Sequence, residues 1–366
     1  MRIARLDVSA YRIPTDRPEA DGTMEWDSTT MVLVELTSES GECGLGFSYT
    51  AAAAATLIQE MLSEVVVGGE VETGAALWTA MIVRVRNCGR PGIAATAISA
   101  IDTALWDLRA RALGQPLFRL LGAYREEVPV YGSGGFTSYS QRELIEQLLG
   151  WVAQGITSVK MKVGKEWGTR LDEDVERVRA VRHAVGDATR LFVDANGAYS
   201  VKQAIWQAER FAEHGVTYFE EPVSSDHLGQ LALVRQQVPA QVQVAAGEYG
   251  YDPWYFRRML ESGAVDILQA DATRCLGITG FMQAASLAYA FSVPFSAHTA
   301  PSIHAHAGCA APQLEHVEYF HDHVRIEQML FDGVLQPHNG ALRPDGGRPG
   351  LGLEFRRKDA EKWRIK

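Results

Sequence analysis

The chain has 366 residues, room for one large domain or two. Apolar residues make up 46% and charged residues 22%, which excludes a disordered or fibrous chain. Forty-five acidic against 35 basic side chains give a net charge of −10 with no lysine- or arginine-rich run, so no nucleic-acid partner is expected. The four cysteines, Cys43, Cys88, Cys275 and Cys309, are far apart and form no CxxC, and read as reduced thiols of a cytoplasmic protein. Met1–Arg5 leads directly into strand-like alternation with no apolar export segment. Cys275–Ala297 carries no formal charge. Its glycines, serines and Pro294 fit a buried helix followed by a strand, so no membrane partner is expected.

In chain order, Arg2–Ile13 and Met31–Glu35 alternate like strands, and Glu42–Tyr49 returns after the turn Ser38–Gly41, which predicts a small antiparallel sheet. Helices are expected over Ala55–Val66, Thr73–Arg86 and Ile93–Ala112, the last stopped by Gly114 and Pro116. This part, residues 1–125, reads as an α+β capping domain. From Val128 short apolar runs alternate with amphipathic helices. The runs are Val128–Tyr131, Ser158–Val163, Leu191–Asp194, Val216–Phe219, Val242–Ala246, Asp266–Gln269 and Val293–Ser296, with an eighth near Glu318–Phe320. Ser200 and Asp252, the latter followed by Pro253, are expected helix N-caps. Eight parallel βα units over residues 126–334 predict an α/β fold of the (β/α) TIM-barrel type. A doubly wound sheet fits less well, because no glycine-rich dinucleotide turn follows any strand. The glycine- and proline-rich tail, 335–366, is expected to pack back on the cap.

A parallel barrel carries its site at the C-terminal ends of its strands, and nearly every run here ends in an ionisable residue. Lys160 and Lys162 lie in the second run, Asp194 ends the third and Glu220 with Glu221 ends the fourth. Glu248 follows the fifth, Asp271 the sixth and His298 the seventh. Unrelated surface charges would not collect at one end of six consecutive strands. Asp194, Glu220 and Glu248 end adjacent strands, and three converging carboxylates repel unless a cation holds them. All-oxygen ligands with positions left for water and substrate favour Mg²⁺. Spacing alone leaves Glu220 and Glu221 as alternatives, since only one of two neighbours on a strand faces inward.

Lys160 and Lys162 share a strand face, and mutual repulsion is expected to lower one amine toward the range of a base. Asp271 and His298 end successive strands, so the carboxylate can fix the imidazole tautomer and free its other nitrogen for proton transfer. His304, His306, His321 and His323 read as structural or rim residues, with metal binding by the two HxH pairs as the lesser alternative.

At these positions the sequence resembles the enolase superfamily, in its mandelate racemase-like subgroup, along essentially the whole chain. The motifs are Lys160-Met161-Lys162, Val193-Asp194-Ala195-Asn196-Gly197, Phe219-Glu220-Glu221-Pro222, Ala246-Gly247-Glu248, Asp271 and His298. Ala100–Leu108 and Pro349–Leu353 carry the likeness outside the barrel. The resemblance implies a capping domain completed by the C-terminal tail, over a modified barrel. It implies Asp194, Glu220 and Glu248 as Mg²⁺ ligands, Lys162 as the base on one substrate face with Lys160 beside it, and His298, oriented by Asp271, as the acid/base on the other. Glu318 matches the hydrogen-bond donor to the substrate carboxylate, with Glu315 as the alternative, and Asn196 is an expected substrate contact. The turn Asp271–Gly277 departs from the more usual glycine-rich form.

This chemistry suits proton abstraction α to a carboxylate through an enediolate. The leading expectation is an Mg²⁺-dependent lyase that dehydrates an acid sugar, the second a 2-hydroxy-acid racemase or epimerase, and a remote third a non-catalytic sugar-acid binder. Specificity is expected in cap loops over Thr15–Thr29 and Ser48–Ala53. The abundance of polar residues in the first of these favours a polyhydroxy substrate. A homo-oligomer acting on a small carboxylate is the expected state.

Overall fold

In the computed structural model, which describes residues 1–366, the N-terminal alternation forms a three-stranded antiparallel sheet of β1 (Ile3–Ala20), β2 (Glu25–Ser38) and β3 (Cys43–Tyr49). Its buried face, with Val32, Val34 and Leu36, packs with Ile98, Ile101, Ala104 and Leu108 of the helix Ile93–Ala112 in a core of its own. The helix expected over Ala55–Val66 is interrupted by a π-turn at Ile58–Leu62.

Strands β4 (Val128–Gly134), β5 (Ser158–Lys162), β6 (Arg190–Asp194), β7 (Val216–Glu220), β8 (Gln243–Ala246), β9 (Ile267–Ala270), β10 (Phe295–Ala297) and β11 (Leu314–Phe320) are all parallel and hydrogen-bonded in chain order. Glu318 of β11 pairs with Tyr131 of β4, so the ring closes and the open-sheet alternative falls away. Ser140 and Ser200 form capping boxes at the helices that follow β4 and β6, and Asp252 accepts from the Tyr255 amide at 2.8 Å. These caps fix where each strand end gives way to helix. The uncharged stretch Cys275–Ala297 is a helix, Gly277–Ala290, followed by β10, and no helix of the chain is long and apolar enough to cross a membrane.

Below the mouth the barrel is plugged by Tyr131, Phe192, Tyr218, Ala245 and Ile267. The C-terminal segment pairs first with the barrel, Ala341–Leu342 lying antiparallel to Val128–Pro129. It then reaches the cap, where the Leu351 amide donates to Asp107 Oδ1 at 2.6 Å and the Ala10 amide to the Lys366 carbonyl at 3.0 Å. The four cysteines are unpaired.

One expectation is corrected. Thr15–Thr29 is not a loop: β1 runs on to Ala20, β2 begins at Glu25, and only Asp21–Met24 turns. Pro14, Pro18 and the dense charge mask the strands in sequence, but a register shift between Pro14 and Glu19 takes up the irregularity. Barrel groups take over the missing ladder bonds: the Thr137 amide donates to the Ala20 carbonyl at 2.8 Å, and Ser138 Oγ to the Pro18 carbonyl at 2.8 Å. The hairpin tip reaches the barrel mouth through Gly22, whose carbonyl accepts from the Trp167 amide at 2.8 Å. A Cβ there would lie 2.8 Å from the Val163 carbonyl oxygen, so the approach requires glycine.

Candidate active site

Strand register sets the site's geometry. Lys162 pairs with Asp194 and Asp194 with Glu220, which places three strand-end side chains at one level around the ring. Glu248 follows β8, Asp271 follows β9 and His298 follows β10, and all are buried at the same end. Asp194, Glu220 and Glu248 each offer a carboxylate oxygen within 4.8 Å of the others. Glu221, in a left-handed backbone conformation, φ 38°, is buried near Glu248 and lines the cavity at the mouth. The group of mutually close oxygens includes Glu220 and not Glu221.

Lys160 Nζ lies 2.6 Å from Glu220 Oε2, 2.8 Å from Glu318 Oε1 and 3.3 Å from Asp194 Oδ2, above the Tyr131 ring. Lys162 Nζ donates to Asp194 Oδ2 at 2.5 Å and to Asn196 Oδ1 at 3.0 Å. The expected lowering of one lysine does not occur in this arrangement. Burial does favour the neutral amine, but Glu220 and Glu318 around Lys160, and Asp194 beside Lys162, outweigh it and hold both amines above their usual value.

The negative charge is in excess. Burial and the adjacent Asp194 push the Glu220 carboxyl up to about 8 despite Lys160, and Glu220 Oε1 is buried without a hydrogen-bond partner. Three carboxylates this close together, one of which keeps an oxygen without a partner, fit a hard divalent cation such as Mg²⁺.

On the far side, His298 Nδ1 is 2.8 Å from Asp271 Oδ2, and His298 Nε2 is 3.4 Å from Glu248 Oε2 and 3.7 Å from Glu318 Oε2. Burial opposes the charged imidazole, but Glu248, Asp271 and Glu318 outweigh it and raise the His298 pKa. Asp271 also accepts from the Thr273 amide at 2.7 Å. Against the cost of its burial, His298 holds it well below the usual carboxylate range. Glu318 Oε1 accepts from Ser133 Oγ at 2.6 Å and Oε2 from the Thr299 amide at 3.2 Å. Lys160 outweighs burial and keeps Glu318 ionised, so the donor role implied by the resemblance requires Glu318 first to gain a proton. Glu315, the alternative, lies nearer the start of β11 beside His316.

Three of the other histidines are buried in contacts away from the trio. His304 accepts from the Ala272 amide at 2.9 Å, His306 faces the Leu351 carbonyl at 3.2 Å, and His323 stacks on Tyr49. Arg274, which no motif marks, also joins the site. Its Nη1 lies 3.3 Å from Glu248 Oε1 and its Nε 3.6 Å from Asp271 Oδ2, so it bridges the carboxylate trio and the imidazole pair. A lone charge three residues beyond Asp271, in a turn that departs from the glycine-rich form, was the available signal.

Gly247, just before Glu248, has φ 141°, and a Cβ there would sit 1.8 Å from the Gln269 carbonyl oxygen. Gly247→Ala is expected to cost about 2–3 kcal/mol of stability and to weaken Mg²⁺ binding by displacing Glu248. Calorimetric unfolding and metal titration check both.

A cavity of about 460 Å³ opens at the barrel mouth, lined by Asn196, Glu221, Ser224, Tyr249, Tyr255 and Thr23 among others; it adjoins the chain neighbours of Asp194, Glu220 and Glu248, and none of those three lines it. Of the polar hairpin residues on which the substrate argument rested, only Thr23 lines it. Asp16 faces His321, Arg17 pairs with Glu143, Glu19 accepts from Trp26, Asp21 caps its own turn and Thr29 bonds Asp322. Tip composition therefore reports on docking of the hairpin. The polar character of the mouth comes from barrel loops instead.

Residues 143–360 match the enolase C-terminal domain-like family, and residues 8–122 match the mandelate racemase / muconate lactonizing enzyme N-terminal domain family. The chain belongs to the mandelate racemase/muconate lactonizing enzyme family. Over the whole of both chains it is 51% identical, with a TM-score of 0.96, to a mandelate racemase/muconate lactonizing enzyme-like protein from Rubrobacter xylanophilus. The L-talarate/galactarate dehydratase of Salmonella typhimurium, solved with Mg and L-lyxarohydroxamate, is 28% identical with a TM-score of 0.90, over 100% of this chain and 93% of that one. A 3,6-anhydro-alpha-L-galactonate cycloisomerase from Streptomyces coelicolor is 31% identical over 97% of this chain and 98% of its own.

Proposed function

We propose that this protein catalyses the Mg²⁺-dependent dehydration of an acid sugar, removing the proton α to a carboxylate and then the β-hydroxyl as water. The observation that carries the reading is the placement of two proton-transfer groups. Lys162 abuts Asp194 and His298 abuts Glu248, so the amine and the imidazole flank one carboxylate trio from β5 and β10. The dehydratase relative and the polar cavity at the barrel mouth support an acid sugar as substrate.

In this reading Asp194, Glu220 and Glu248 hold the metal. Bound Mg²⁺ supplies positive charge for the developing enediolate and offsets the carboxylates that hold the Lys162 amine protonated. Lys162 takes the α-proton on one face. His298, its tautomer fixed by Asp271, delivers a proton to the departing hydroxyl or acts as base on the other face. Lys160 supports Lys162 electrostatically, Glu318 orients the substrate carboxylate and Asn196 contacts substrate at the cavity edge. The same two groups would serve a racemase, and a relative named as a cycloisomerase begins from a comparable acid, so the product decides. The proposed setting is cytoplasmic and homo-oligomeric.

A library of mono- and diacid sugars, incubated with enzyme and Mg²⁺ and assayed for 2-keto acid, tests the reading. At least one polyhydroxy acid is expected to yield keto acid. Turnover of an aryl hydroxy acid such as mandelate, with none for any polyhydroxy acid, would favour the racemase.

A further inference from the structure

Among the contacts that fasten the hairpin to the barrel is a cluster outside the site described above. Asp16 and Glu19 lie on β1, and His321 opens the helix His321–Leu330 that directly follows β11. His321 Nε2 is 3.1 Å from both Asp16 oxygens, and one oxygen from each of Asp16 and Glu19 lies within 4.8 Å of an imidazole nitrogen of His321. Glu19 is wholly buried. Its Oε2 accepts from Trp26 Nε1 at 2.8 Å, but its Oε1 has no hydrogen-bond partner. A buried, half-partnered carboxylate is costly unless something pairs with it.

The surrounding charge does not provide that pairing. Asp322 faces the cluster, held by Thr29 and Arg325, while Arg325 also donates to the Pro14 carbonyl at 2.7 Å. Arg17 is directed to Glu143. Asp16, Glu19 and Asp322 thus share one arginine and one imidazole, and the imidazole is directed to Asp16. Burial, with Asp322 and Asp16 nearby, pushes Glu19 up to about 8, as expected where a cation is wanting.

We propose that Asp16, Glu19 and His321 form a second divalent-cation site, suited to Zn²⁺, that staples the β1–β2 hairpin to the barrel. One imidazole nitrogen with two carboxylates suits Zn²⁺ or Co²⁺ better than Mg²⁺, which prefers all-oxygen sites. Asp16 is 42% exposed, which leaves the solvent side open for water to complete the coordination. Its His321 lies three residues beyond Glu318 in the chain, and the site holds the hairpin whose Gly22 tip meets the mouth.

Co²⁺ titration of the Mg²⁺-saturated protein, read by visible absorption, tests this. One equivalent with nitrogen-ligand bands is expected, displaced by Zn²⁺. His321→Asn should remove the bands, and Glu19→Gln should weaken binding about tenfold or more. Asp16→Asn, at a half-exposed position that leaves the fold intact, should weaken it likewise and abolish any rise in Tm with Zn²⁺. No Co²⁺ binding by the parent overturns the proposal. So do bands that survive both Asp16→Asn and His321→Asn, or bands that vanish in Asp194→Asn, which would place the ion at the Asp194–Glu220–Glu248 trio.

Discussion

Asp194→Asn, Glu220→Gln and Glu248→Gln are each expected to abolish measurable turnover and to weaken Mg²⁺ binding. Each change keeps the side chain's shape and removes one charge from a trio whose oxygens lie within 4.8 Å of one another. Polarisation of a substrate carboxylate by a bound metal is worth several kcal/mol, so the loss should reach about a thousandfold or more. Glu220 tests the account most sharply, because its Oε1 is unsatisfied while its Oε2 already takes Lys160 at 2.6 Å. Glu221→Gln is the contrast: Glu221 lines the cavity, so its substitution should raise KM and leave metal affinity near the parent value. Calorimetric Mg²⁺ affinities unchanged in all three trio variants would refute the assignment.

Lys162→Ala and His298→Asn are expected to divide the proton-transfer chemistry between them. With substrate and Mg²⁺ in D₂O, His298→Asn should lose α-proton exchange for one configuration and Lys162→Ala for the opposite one. A positioned acid or base contributes about 10²–10⁴-fold. Each variant should therefore show a loss of that order for one stereoisomer and near-parent exchange for the other. The asymmetry follows from placement, since Lys162 touches Asp194 and Asn196 whereas His298 lies beside Glu248 and Glu318. Parent-rate exchange of both stereoisomers by either single variant would remove the two-face model.

Much of the site was legible because a parallel barrel converts a linear pattern into a ring. A charged residue at the end of Leu191–Asp194 or Val216–Glu220 can point only into the mouth, and parallel register then brings it beside its neighbours. What was not legible depended on contacts between distant segments. The hairpin past Ile13 looked like a loop because Pro14, Pro18 and six charges break the alternation. Its strand conformation is stabilised by donors from Thr137, Ser138 and Arg325, more than 100 residues away. The polar hairpin residues pointed toward substrate for the same reason: His321, Glu143 and Asp322, which engage them, are invisible in local sequence. The lysine pair misled differently. Two neighbouring ammoniums suggest mutual lowering, but the three carboxylates within 3.3 Å of Lys160 reverse the sign. Arg274 sat in plain view in an atypical turn, and only the fold shows that it reaches Glu248 and Asp271.

The central claim is that a carbon acid is deprotonated next to the carboxylate before water is lost. The most direct measurement runs the parent enzyme with Mg²⁺ and an acid-sugar substrate in D₂O and reads the product by proton NMR. The account expects a 2-keto-3-deoxy acid that has lost its original C2 proton and gained one solvent deuterium at C3, because the enol formed by loss of the β-hydroxyl takes its new proton from the medium. A keto acid that carries the substrate's own C2 proton at C3, with no deuterium there, would contradict it.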